Sequence, residues 1–101
     1  MAETFFQVVV RYTVKAGEVS TVMALLGEMA VATRAEAGNM AYDFYQGVED
    51  PTQIVILERY TDAAGFAAHR EYEHIERIGA LQIIPRLASR SIQTFENASD
   101  A

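Results

Sequence analysis

The stretch from residue 58 to 74, ERYTDAAGFAAHREYEH, holds both histidines of the chain, His69 and His74, together with Glu58, Tyr60 and Tyr72. Glu58 and Tyr60 are two apart in a β-branched, strand-like run, QIVILERY, so they face the same side as Ile54 and Ile56. A carboxylate at the end of an apolar wall loses water, which raises its pKa unless a donor or cation compensates. Such a group can hold or take a substrate proton near neutral pH. His69 follows on a short helix and is the expected partner of Glu58. One reading makes Glu58 and His69 an acid–base pair beside a substrate hydroxyl. The other makes Glu58 a buried carboxylate that a histidine and backbone groups satisfy, tying helix to sheet.

His74 lies five residues beyond His69. On one continuous helix that turns it away by roughly 140°, so His74 is expected at a helix start or on the surface, at the pocket rim with Tyr72. A break between Arg70 and Glu73 would let both imidazoles point inward. No metal site is expected, because the chain offers two His, no Cys and no His pair at the i, i+4 spacing of zinc-binding helices. Tyr42, Tyr60, Tyr72 and Phe66 are candidate substrate contacts, with Tyr12, Tyr45 and Phe44 as further aromatics. Most aromatics in a domain of this size are core.

The elements that must position these groups can be read from periodicity. FFQVVVRYTV, residues 5–14, is β-branched and aromatic and reads as a strand with apolar groups on both faces. Ala16-Gly17 turns the chain. From Glu18 to Ala37, apolar residues recur in three- and four-residue steps (Val19, Val22, Met23, Leu26, Met29, Ala30), which predicts an amphipathic helix. Glu18 is expected in its first turn, Arg34 in solvent near its end, and Gly38 as a left-handed C-cap. Met40–Gly47 and Gln53–Tyr60 alternate and are joined by a short Pro51 turn, which predicts an antiparallel hairpin. Thr61-Asp62 offers an N-cap for a helix over Ala63–His69. A further helix is expected around Ile75–Leu81, broken by Pro85, with an optional short helix over Arg86–Ser89. Ser91–Asn97 closes the series as a strand.

The order β-α-β-β-α-β predicts an α+β, ferredoxin-like fold with an antiparallel four-stranded sheet and helices on one face. Residues 1–97 are expected as one domain and 98–101 as a flexible C-terminal tail. Half of the 101 residues are apolar. A domain this short buries only about 60–65% of its unfolded surface, so a second copy is expected over the bare sheet face, making a homodimeric α+β barrel. The net charge of −6 argues against nucleic acid and anionic membranes as partners. Seven of the eight basic residues are Arg, which leaves room for an anionic or oxygen-rich ligand. The apolar run near the N-terminus is too short to span a bilayer. A soluble, cytoplasmic protein is the expectation.

EAGNMAYDFYQGVEDPTQIVILERYTDAAGFAAHREYEHI resembles the antibiotic biosynthesis monooxygenase domain family. The carrying elements, in order, are Glu36 and Gly38; Tyr42; Asp50 and Pro51; Glu58, Arg59 and Tyr60; Asp62; Ala68 and His69; and His74, with Val10–Gly17 fitting the family's opening. The likeness covers about residues 8 to 80. It implies a cofactor-independent monooxygenase on a small quinol or polyphenol, with Glu58 and His69 catalytic and no cofactor. The same family resemblance leaves open an isomerase or other proton-transfer enzyme on a small carbonyl compound, and a non-catalytic dimeric binding module. Tyr60 stands where oxygenase-like and haem-degrading members carry Trp, and Gln7 and Gln53 stand in place of a strand Asn, which argues against haem.

Overall fold

Ten residues of mostly β-branched and aromatic character form β1 (Phe5–Val14), and the positive φ of Gly17, 82°, turns the chain into α1 (Val19–Arg34). β2 (Asn39–Gln46) and β3 (Gln53–Tyr60) make a hairpin. α2 (Ala63–His69) and a π-helical segment, α3 (Ile75–Ile83), lead through a 3-10 turn (Ile84–Arg86) into β4 (Leu87–Ala98). The computed structural model describes residues 3–101. The four strands are antiparallel in the order β2-β3-β1-β4, the ferredoxin-like arrangement expected from the pattern.

The strand period puts Val8, Val10, Ile54 and Ile56 on one sheet face. There they meet Val22, Leu26 and Met29 of α1 and Ile78 and Ile83 of α3, all buried. Burying an aliphatic side chain contributes about 1.5–3 kcal/mol, so this layer holds the helices to the sheet. α3 lies close to α1 because Gly79 has no side chain: a Cβ there would sit 3.3 Å from the Met29 methyl carbon. The helices do not reach β4, most of which is exposed on both faces; Ile92 and Phe95 are about half exposed.

Several local expectations change. α1 ends at Arg34, three residues short of Ala37, and Gly38 is not a left-handed cap. Its lack of a side chain serves a close approach instead: a Cβ on Gly38 would lie 2.9 Å from the Gly65 Cα. Thr61 N–H also donates to the Gly38 carbonyl at 3.0 Å, which brings the end of α1 against the start of α2. Glu18 precedes the helix and pairs with Arg86 at 3.0 Å rather than occupying the first turn. Arg34 is exposed in the last turn of α1, as expected, and its guanidinium also donates to the Tyr42 carbonyl at 2.7 and 3.1 Å, clamping α1 to β2. No helix forms over Arg86–Ser89, because β4 begins at Leu87 and pairs there with Val14. Asp62 does cap α2, accepting from Gly65 N–H at 2.8 Å. Beyond the last strand, the Asp100 carboxylate meets Arg59 at 2.8 Å.

Candidate functional site

β3 carries Glu58 and Tyr60 to the helix side of the sheet, where both are buried. The Tyr60 hydroxyl donates to Glu58 Oε1 at 2.6 Å. Burial pushes the Glu58 carboxyl up to about 7; the Tyr60 hydrogen bond opposes this and the nearby Glu36 charge adds to it. A cavity of about 270 Å³ opens above it, between sheet and helices. Tyr12, Tyr42 and Glu58 line it from the sheet, Phe66 and His69 from α2, and Met29 from α1, with Arg70 and Arg90 also contributing. Burial raises the Tyr12 phenol to about 12 and that of Tyr42 well above its ordinary value, with Glu58 reinforcing both, so the two remain neutral donors.

The expected Glu58–His69 hydrogen bond is not formed. His69 Nε2 lies 3.6 Å from Glu58 Oε1, beyond good hydrogen-bond range. Its other nitrogen, Nδ1, sits 2.9 and 3.0 Å from the two oxygens of Glu36. Glu36 leaves the helix just after α1 ends and turns inward, where it is 6% exposed. His74 Nε2 approaches the same carboxylate at 2.7 Å. A surface position for His74 is therefore ruled out: it caps α3, as a helix-start residue, but is buried. The chain breaks between α2 and α3, so the 140° argument, which assumes one continuous helix, does not apply.

An ionised carboxylate only accepts, so the nitrogens facing Glu36 carry the protons. Burial lowers the His69 pKa against the opposing pull of Glu36, which favours the neutral ring. Neutral His69 with its proton on Nδ1 has a bare Nε2 directed toward Glu58. Aromatic packing holds this orientation: the His69 ring lies 5.2 Å from Tyr60 and 6.0 Å from Phe66, centroid to centroid, and Tyr72 stacks on His74 at 5.4 Å.

Of the residues singled out in the sequence, Glu58, His69, Tyr42 and Phe66 line the cavity. Tyr60 stands behind Glu58, while His74 and the partly exposed Tyr72 stand behind His69, none of the three in the cavity wall. In the sequence Glu36 stands out only through the family motif Glu-x-Gly, which assigns it no chemical role. Its signal was its place at the end of an apolar helix stripe, where a charged residue has either solvent or a buried partner. Two histidines without the i, i+4 spacing of zinc-binding helices make a metal site unexpected from sequence, yet three donors, from Glu36, His69 and His74, lie within 4.8 Å of one another.

The family model for antibiotic biosynthesis monooxygenase matches residues 5–81. A protein of Mycobacterium tuberculosis named "Putative monooxygenase Rv0793" is 34% identical over 67 residues, 66% of this chain; the match spans 65% of that protein's length. The solved structure of Rv0793 superposes with a TM-score of 0.86 at 26% identity, covering 97% of this chain and 99% of that one. A conserved protein from Methanosarcina mazei gives a TM-score of 0.88 at 25% identity, over 95% of each chain. A structure described as antibiotic biosynthesis monooxygenase gives 0.85 at 24% identity, over 92% of this chain and 98% of that one, and so speaks for the fold. No helix among the described residues is long and apolar enough to cross a membrane.

Proposed function

The chain belongs to the antibiotic biosynthesis monooxygenase family, and on that premise we propose that it is a cofactor-independent monooxygenase acting on a small quinol or polyphenol in the cavity between sheet and helices. The observation that carries this reading is a single buried carboxylate, Glu58, in the wall of an aromatic cavity of about 270 Å³. That volume suits one or two fused rings, since drug-sized ligands occupy pockets of about 300–1,000 Å³. Glu58 takes the phenolic proton, and the resulting phenolate is electron-rich enough to reduce dioxygen by one electron. The aryloxyl radical and superoxide then join through a carbon–oxygen bond. The peroxide takes up a proton and loses water, leaving a quinone. One oxygen atom enters the product, the other leaves as water, and the substrate supplies all four electrons. The neutral phenols of Tyr12 and Tyr42 serve as donors to the developing anion, and His69 Nε2 is placed to receive the proton that Glu58 takes up.

The test is oxygen consumption with a panel of quinols and naphthols, using labelled dioxygen. One labelled oxygen atom in the product is expected. Consumption no faster than autoxidation across the panel would overturn the reading. Turnover at an equal rate without oxygen would favour the second reading, proton transfer on a small carbonyl compound. That alternative is supported by two groups of complementary protonation, the Glu58 carboxyl and His69 Nε2, 3.6 Å apart at one cavity.

The open sheet face supports a homodimer. Tyr45, Leu57 and Phe95 are exposed there at 52%, 37% and 48%, beside Val9 and Val55. Sedimentation at micromolar concentration checks this, and a well-folded monomer there sinks it.

A further inference from the structure

We infer that Glu36, His69 and His74 form a binding site for a divalent transition-metal ion, with zinc as the best-matched cation. Two imidazoles and one carboxylate make a His₂Glu donor set of the kind zinc takes. The three side chains come from separate segments, the chain just after α1, the end of α2 and the cap of α3, and all are buried. His69 Nδ1 is 2.9 Å and His74 Nε2 is 2.7 Å from Glu36 Oε2. Ligand atoms around a tetrahedral ion at about 2.0–2.1 Å stand roughly 3.3 Å apart. The two histidine–carboxylate pairs therefore need to spread by a few tenths of an ångström, while the two imidazole nitrogens, which lie within 4.8 Å of each other, need to settle at the same spacing.

Charge and surroundings support the same site. Neither Glu36 nor Glu58, both buried, has an Arg or Lys within ion-pair range among the described residues; their neighbours at that range are the two imidazoles. A divalent cation among these side chains would offset the buried carboxylate charge. A metal-bound histidine characteristically directs its other N–H to a carboxylate. His69 is set up for this, with Glu58 Oε1 3.6 Å from Nε2 and Tyr60 holding that carboxylate from the other side. A metal at His69 Nδ1 and His74 Nε2 leaves each ring proton on the other nitrogen, Nε2 of His69 facing Glu58 and Nδ1 of His74. Glu36 and His74 are outside the cavity wall, so the ion lies behind His69. The site stands whether or not the oxygenase reading holds.

The test uses the full chain, stripped with a chelator and titrated with Co²⁺ and then Zn²⁺. Binding of one Co²⁺ per chain, with visible d–d absorption that Zn²⁺ abolishes, is expected. Glu36→Gln should abolish the signal. Glu58→Gln, acting through His69, should weaken Zn²⁺ binding about 10–100-fold. If Glu36→Gln fails to fold, imidazole ¹⁵N resonances of the unaltered chain decide. On Zn²⁺ addition both His69 and His74 should change tautomer. An absent Co²⁺ signal, a folded Glu36→Gln chain that binds as the parent does, or imidazole resonances that stay in place would each overturn the inference.

Discussion

Two buried carboxylates, one on the sheet and one at a junction of helix ends, show how differently a fold can place the same chemical group. Glu58 stands on β3, where a period of two ties it to Ile54, Ile56 and Tyr60. Its partner Tyr60 is two residues away, and its exposure to the cavity follows from the face it shares. Glu36 has no such local frame. It lies between α1 and β2, and its partners are 33 and 38 residues further along the chain. The first carboxylate is held by a strand, so its direction is set by backbone geometry. The second is held by histidines whose own helices must be docked before the contact exists. The strand carboxylate is therefore aimed into the cavity by its backbone, and the junction carboxylate fixes the His69 ring beside it.

The sharpest way to break this contrast is Glu58→Gln. The amide oxygen can still accept from Tyr60, so the fold should persist while oxygenation of a quinol falls by about 10²–10⁴, the usual range for a lost general base. His69→Ala should lower the same rate within that range and also release the Glu36 contact. Oxygen uptake and urea unfolding on the same samples separate the two effects. A Glu58→Gln protein with unchanged turnover would remove Glu58 from the mechanism.

Glu36→Leu probes the junction. It leaves two buried imidazole N–H groups without an acceptor, and each hydrogen bond to a charged group contributes about 1.5–3 kcal/mol. A loss of about 3–6 kcal/mol in urea unfolding is expected, larger than for Glu58→Gln. Equal losses for the two would mean that the junction does not bind the helix ends together as described.

Gly38→Ala tests the same junction from the backbone. The added methyl would meet the Gly65 Cα at 2.9 Å, and neither backbone can step aside without moving α1 or α2. A cost of about 1–3 kcal/mol is expected, typical of overpacking. Gly27→Ala is the control, since nothing lies within 4 Å of a Cβ there. The smallest effect belongs to Thr33, whose fully buried Oγ1 has no hydrogen-bond partner among the described residues. Thr33→Val keeps the shape and removes the unpaired hydroxyl, so stability should be unchanged or rise by up to about 1 kcal/mol.

The strands, the first helix and their order were legible in the sequence because each rests on a repeat of two or of three to four residues, which neighbouring side chains enforce. For the same reason Glu58 and Tyr60 fall on the expected sheet face, whereas the cap of α2 was legible from residue type, with the structure choosing Asp62 over Thr61. Element ends were less legible. α1 stops at Arg34, short of Ala37, and the chain beyond it brings Gly38 against Gly65; β4 starts at Leu87, because β1 offers a pairing edge as far as Val14.

What the sequence by itself determined is the β-α-β-β-α-β order, the apolar helix-facing side of the sheet and the presence of a carboxylate and a phenol on that side. These follow from local periodicity, which does not depend on how the elements dock. Only the tertiary structure decided that His69 turns to Glu36 rather than to Glu58, and that His74 is buried beside it. Those contacts depend on the break between α2 and α3 and on the docking of three chain segments far apart in sequence, and no spacing of residues along one segment records where another segment will come to rest.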